Sequence, residues 1–172
     1  MIKIIALLAG MLYADIYSYD YSFQDIDGQI IDLSQFQGKK VLFVNTASNS
    51  PYTAQYAGLE QLYQQYKDSL VIIAFPSNDF GNESGNDAAI KSFVKQNYHA
   101  HFIIASKIAV SRSNQCPIYT WLTKAIKNET VDNSIRNDFY KFLVNGSGQL
   151  VGVFDANTQP MSQTVQTAIT SN

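Results

Sequence analysis

VLFVNTASNSPYTAQYAGLEQLYQQYK, residues 41–67, is the stretch on which the fold turns. It opens with four apolar residues, Val41 to Val44, too few for a buried helix and rich enough in β-branched and aromatic side chains to read as a buried strand. A polar turn, Ser48-Asn49-Ser50-Pro51, follows. Beyond it Tyr56, Leu59, Leu62, Tyr63 and Tyr66 recur at helical spacing, which predicts a helix from Tyr52 to Lys67 with one apolar face. Ser is favoured at a helix N-cap and Pro at the first helical position, so Ser50-Pro51 predicts a capped start. A helix N-terminus also offers free N–H groups and the positive end of the macrodipole, which is where a strand-turn-helix unit holds an anion.

Outward from this unit the pattern repeats. Leu70 to Phe75 predicts a second buried strand, residues 76–83 a loop, residues 88–97 a helix, and Phe102 to Ala105 a short strand. Residues 117–126 predict a helix opened by Pro117, and a last helix begins near Ser162. Asp27-Gly28 between alternating apolar residues predicts a hairpin near the start, and Gly146-Ser147-Gly148 a second, between Phe139–Val144 and Leu150–Phe154. Strands alternating with helices imply crossovers and a sheet that is partly parallel, and the closing hairpin adds antiparallel strands. The expected fold is α/β: a three-layer sandwich with a mixed central sheet, helices on both faces and an N-terminal β-hairpin.

The chain has 172 residues, 46% of them hydrophobic and 15% charged, enough for one globular domain with its own core. Twelve Lys and Arg form no basic run and the net charge is −2, so the electrostatic footprint of a nucleic-acid binder is missing. Lys3 followed by the apolar run Ile4 to Leu12 and small residues near Ala14 reads as an export signal over residues 1–14, with the domain over 15–172 and a periplasmic or secreted location. The other reading of that run is a buried first strand. No apolar run after it approaches the ~20 residues of a membrane helix. Cys116 is the single cysteine, so no intramolecular disulfide and no redox dithiol pair can form.

From about Tyr21 onward the chain resembles the glutathione peroxidase family, whose fold is thioredoxin-like. Three stretches carry the resemblance: Val44-Asn45-Thr46-Ala47-Ser48-Asn49-Ser50 with Gln55-Tyr56, Leu59, Leu62 and Tyr63; Phe75-Pro76-Ser77-Asn78-Asp79-Phe80-Gly81-Asn82-Glu83; and Asn137-Asp138-Phe139-Tyr140-Lys141-Phe142-Leu143-Val144. The resemblance implies reduction of hydroperoxides at the expense of glutathione or thioredoxin. It also marks the catalytic positions, and all four are substituted. Ser50 stands where the family has its peroxidatic Cys or selenocysteine, Asp79 where it has Gln, Asn137 where it has Trp, and Asp138 where it has Asn. Ser77 stands at the family's second common Cys. The stretch between the helix at 117–126 and Asn137 is short compared with tetrameric members, which implies a monomer.

A thiolate attacks peroxide because it forms near neutral pH and can pass through a sulfenic acid. A serine hydroxyl does neither, and carboxylates at Asp79 and Asp138 disfavour an anion between them. The expectation is an exported relative that has lost peroxidase chemistry and binds a small ligand or a protein in the old hollow. The alternative is a thiol-dependent hydroperoxide reductase of the oxidative-stress response, with Cys116 as an unconventional nucleophile. A serine hydrolase at Ser50 lacks a His base, since the only histidines are His99 and His101 in a strand-entry segment. Those two are too few to predict a metal, and Asp79 and Asp138 with Asn137, Asn78 and Ser50 are too few for a hard cation, so neither metal nor cofactor is expected.

Overall fold

A computed structural model describes residues 20–171. The export-signal reading of residues 1–14 lies outside them. In chain order the elements are β1 (Ser22–Gln24), β2 (Ile30–Asp32), β3 (Lys40–Thr46), α1 (Gln55–Tyr66), β4 (Leu70–Pro76), α2 (Asp87–Tyr98), β5 (Ile103–Ile104), α3 (Pro117–Thr123), α4 (Ala125–Asn128), β6 (Lys141–Val144), β7 (Leu150–Phe154) and α5 (Gln163–Thr170). The main sheet has the order β5-β4-β3-β6-β7. β3 pairs in parallel with β4, and β4 with β5, while β6 runs antiparallel to both β3 and β7.

The period of two along β3 explains the layers. Leu42 and Val44 face a core shared with Tyr56, Leu59 and Leu62 of α1, Ile90 and Val94 of α2, and Val165 and Ile169 of α5. Val41 and Phe43 face the other core, with Ile118, Tyr119, Trp121 and Leu122 of α3 and with Phe23 and Leu33 from the hairpin region. All four β3 side chains are at most 1% exposed, and each contributes about 1.5–3 kcal/mol by burial. The thioredoxin-like, mixed-sheet architecture with an N-terminal hairpin is therefore what the chain adopts.

The two hairpins share one plan. In the first, Asp25 and Gln29 close a three-residue loop: Gly28 is left-handed at φ +86°, its N–H donates to the Asp25 carbonyl, and the Asp25 carboxylate accepts the N–H groups of Asp27 and Gln29. In the second, Asn145 and Gln149 do the same around a left-handed Gly148, with the Asn145 side chain accepting from Ser147 and Gln149. The loop is thus Ile26-Asp27-Gly28, one residue longer than an Asp-Gly turn.

Two helix predictions are corrected. Residues 51–54 form a turn and α1 begins at Gln55, with Ala54 as an N-cap that makes no side-chain bond. The helix expected at 117–126 breaks at Lys124, which is extended. The break is held from the side: Asp132 accepts the Ala125 N–H at 2.9 Å, and the Asn128 amide donates to the Trp121 carbonyl at 2.8 Å. No helix among the described residues is long and apolar enough to cross a membrane.

Candidate functional site

β3 and β4 run in parallel and end side by side, so the turns that follow them meet. Asn49 donates its N–H to the Asn82 carbonyl at 3.0 Å. Glu83, 1% exposed, fastens the two turns further by accepting the N–H and the hydroxyl of Ser48, both at 2.7 Å. Ser50 sits between them and is 7% exposed. It does not cap α1. Its Oγ accepts the Tyr52 N–H at 3.2 Å, and its carbonyl accepts both the N–H and the hydroxyl of Thr53. The capping role predicted for Ser50 is therefore played one turn earlier, on the turn that leads into the helix.

The third strand end brings in residues 137–139. Asn45, fully buried in β3, donates from its side chain to the Asn137 carbonyl at 3.0 Å and accepts the Phe139 N–H on its own carbonyl. Phe139 takes φ +64°, a left-handed conformation costing on the order of 1 kcal/mol in a residue with a Cβ. Its ring packs edge-on against Tyr56 with centroids 5.1 Å apart, and that packing holds the kink. The result is that Asp138, 1% exposed, lies beside Ser50.

Asp138 Oδ2 accepts from the Asn82 amide at 2.7 Å, while its Oδ1 has no hydrogen-bond partner among the described residues. Burial pushes this carboxyl above the usual aspartate value. The Asn82 amide and the Ser50 hydroxyl pull it back, and the Glu83 charge adds to the rise.

The other two substituted positions lie apart from this pair. Asp79 turns toward residues 110–111, where its Oδ2 accepts the N–H of Val110 and of Ser111, both at 2.7 Å, and the Ser111 hydroxyl at 3.1 Å. Ser77 is buried and accepts the Asp79 N–H at 3.3 Å. Asp79 and Asn137 line an open hollow of about 620 Å³ together with Asn78, Asn82, Arg112 and Arg136. The structure thus pairs Ser50 with Asp138 and places Asp79 and Asn137 on an adjoining wall, with Asn82 bordering both. The two acids do not act together on one position.

The remaining candidates are elsewhere. His99 is the left-handed C-cap of α2 at φ 51°, and His101 binds Glu60 through its Nδ1 at 2.7 Å and its N–H at 2.8 Å. Burial pulls Glu60 upward, but the bonds from Gln64 and His101 outweigh it and hold the carboxyl below its usual value. No cluster of three or more metal-ligating side chains occurs among the described residues. Cys116 is half-buried at the start of α3, and burial raises its thiol above the ordinary value.

Sequence reasoning gave no role to Glu83, Asn82 or Lys141. Lys141 is fully buried, with Nζ donating to the carbonyls of Phe139 at 2.7 Å and Asp155 at 3.3 Å, and burial lowers it to about 8. Its place in a strand of otherwise apolar residues was the available signal. The site as built holds the hydroxyls of Ser48 and Ser50, the buried carboxyls of Glu83 and Asp138 and several amides, with no sulfur and no imidazole.

Comparison with known proteins bears on the family. The family model described as glutathione peroxidase matches residues 18–123. A glutathione peroxidase-like peroxiredoxin of Schizosaccharomyces pombe is 42% identical over 144 residues, covering 83% of this chain and 90% of that one. A solved structure described as Trgpx in apo form superposes with a TM-score of 0.69 at 31% identity, covering 89% of this chain and 93% of that one. A thioredoxin-family thiol:disulfide interchange protein from Chlorobium tepidum shares the fold alone, with a TM-score of 0.61 at 12% identity over 87% of this chain and 92% of that one. With its strand order, its three motifs and these matches, the chain belongs to the glutathione peroxidase family.

Proposed function

We propose that this chain keeps the family's scaffold without its peroxidatic step and works as a binding relative. The observation that carries the reading is the chemistry around Ser50. Its oxygen accepts a backbone N–H and lies beside the buried Asp138 carboxyl. A hydroxyl there stays protonated near neutral pH and has no sulfenate to form. Export, read from Lys3 and the apolar run after it, belongs to the same proposal, and cell fractionation tests it.

The second reading is a thiol-dependent hydroperoxide reductase. The matched family model and the names of the relatives favour it over the first. In this chain it needs Cys116, whose thiol would take an oxygen from the hydroperoxide, leave an alcohol or water, and be restored by two equivalents of an external thiol. Burial works against it by keeping that thiol protonated.

A coupled assay with hydroperoxide and either glutathione or thioredoxin separates the two. The first reading expects consumption at the buffer rate. Turnover that Cys116→Ser abolishes establishes the second. Ser50→Cys alone is expected to stay inactive, because the new thiol would sit beside the Asp138 carboxyl. Turnover in that variant would show that the scaffold needs only its sulfur back.

A further inference from the structure

We infer that the hollow lined by Asp79 and Asn137 is a binding site for a compact oxyanion, a carboxylate or a phosphate, gripped by Arg112 and Arg136. The two arginines reach it from separate segments of the chain, one after β5 and one before β6. Neither is spent on a carboxylate. Among the described residues the Arg136 side chain makes no hydrogen bond or ion pair, and the Arg112 side chain makes one, from its guanidinium to the Asp79 carbonyl at 3.2 Å. Asp79 is the one carboxylate lining the hollow, and three donors of residues 110–111 already occupy its Oδ2. Asn82 lines the hollow too and keeps Asp138 engaged, while Glu83 is held by Ser48. The side-chain amides of Asn78 and Asn137 have N–H donors to spare, since Asn78 uses only its oxygen, on the Glu83 N–H.

The backbone supplies a separate argument. Arg112 takes φ +66°, where glycine fits without strain and a residue with a Cβ does not. Local conformational preference does not account for an arginine there, and strained non-glycine residues gather at ligand sites. Two guanidiniums with flanking amides match the several acceptor oxygens of an oxyanion by charge-assisted and bidentate hydrogen bonds. The site is open, so the attraction is screened by salt. Since binding needs no turnover, the inference stands or falls independently of what Ser50 does.

The test titrates the full chain, at low ionic strength and by calorimetry, with inorganic phosphate and with succinate separately. The tighter of the two identifies the oxyanion class. Saturable binding of at least one is expected, weakened about tenfold or more by Arg112→Gly and again by Arg136→Gln, and lost in the double variant. Arg112→Gly removes the strain as well as the charge, so it folds at least as stably as the parent while binding less. Lys67→Gln, at the far end of α1, should leave the affinity unchanged. The proposal is overturned by no saturable binding of either probe, by a double variant within twofold of the parent, or by equal weakening in Lys67→Gln.

Discussion

Asp79 and Asp138 are the same residue type in two neighbouring loops, and they have opposite fates. The loop after β4 turns Asp79 onto two backbone N–H groups and a hydroxyl, all three on its Oδ2. The segment before β6 buries Asp138 with one amide bonded to one oxygen and only the neighbouring Ser50 hydroxyl to ease its charge further. The first carboxylate ties a loop down. The second is held at a cost, and its proton is correspondingly harder to remove. The lesson is that an acid's meaning in a site is set by the donors aimed at it, so acids at two catalytic positions of a family need not act on the same chemistry.

The contrast can be broken most sharply at Asp79. Replacing it with Ala strips the acceptor from Val110 and Ser111 and should cost about 2–3 kcal/mol in urea unfolding, with Asp79→Asn losing less. An unchanged midpoint for Asp79→Ala would mean that its three bonds hold nothing.

Asp138→Asn should act in the other direction and raise stability at pH 7, by less than Asp79→Ala loses. The sign follows from the raised pKa. Between the ordinary aspartate value and the raised one, the folded chain binds more protons than the unfolded, so the parent loses stability as pH rises through that window. The variant does not titrate, so its advantage is present at pH 7 and absent at pH 3. Thermal melts at the two pH values check this, and an equal gain at both would remove the charge from the explanation.

Ser50→Ala is the smallest of the three. It frees the Tyr52 N–H and should cost about 0.5–1 kcal/mol. Because the hydroxyl pulls the Asp138 carboxyl down, its loss should move that carboxyl's NMR titration midpoint further up. An unmoved midpoint would show that the two side chains do not communicate.

Most of the fold was legible in the sequence because it is written in local chemistry. Four to seven apolar residues between turns can only be buried strands here, and each hairpin carries an Asp or Asn and a Gly at the positions that the loop geometry requires. The start of α1 was misread because Ser50-Pro51 fits a cap by residue type, and type alone does not say whether the turn it opens is already helical. At the site Ser50 was legible, but the destination of Asp79 was not. Nothing near Asp79 in sequence announces that residues 110–111 will face it. Arg112 and Arg136 were invisible for the same reason, since only the fold brings them to one hollow. Lys141 escaped notice because a charged residue at a strand's end reads as solvent-facing until the bonds to two carbonyls are seen.

β3 is paired on both edges, over seven residues with β4 and over four with β6, and its central side chains fill both cores. In deuterated water its amides should be among the last to exchange, since opening them requires the whole sheet to part. Ser50 follows this strand by four residues. The turns that border the hollow are thus anchored at their roots to the least yielding part of the sheet, so the spacing of the groups they carry is set by the strand beneath them.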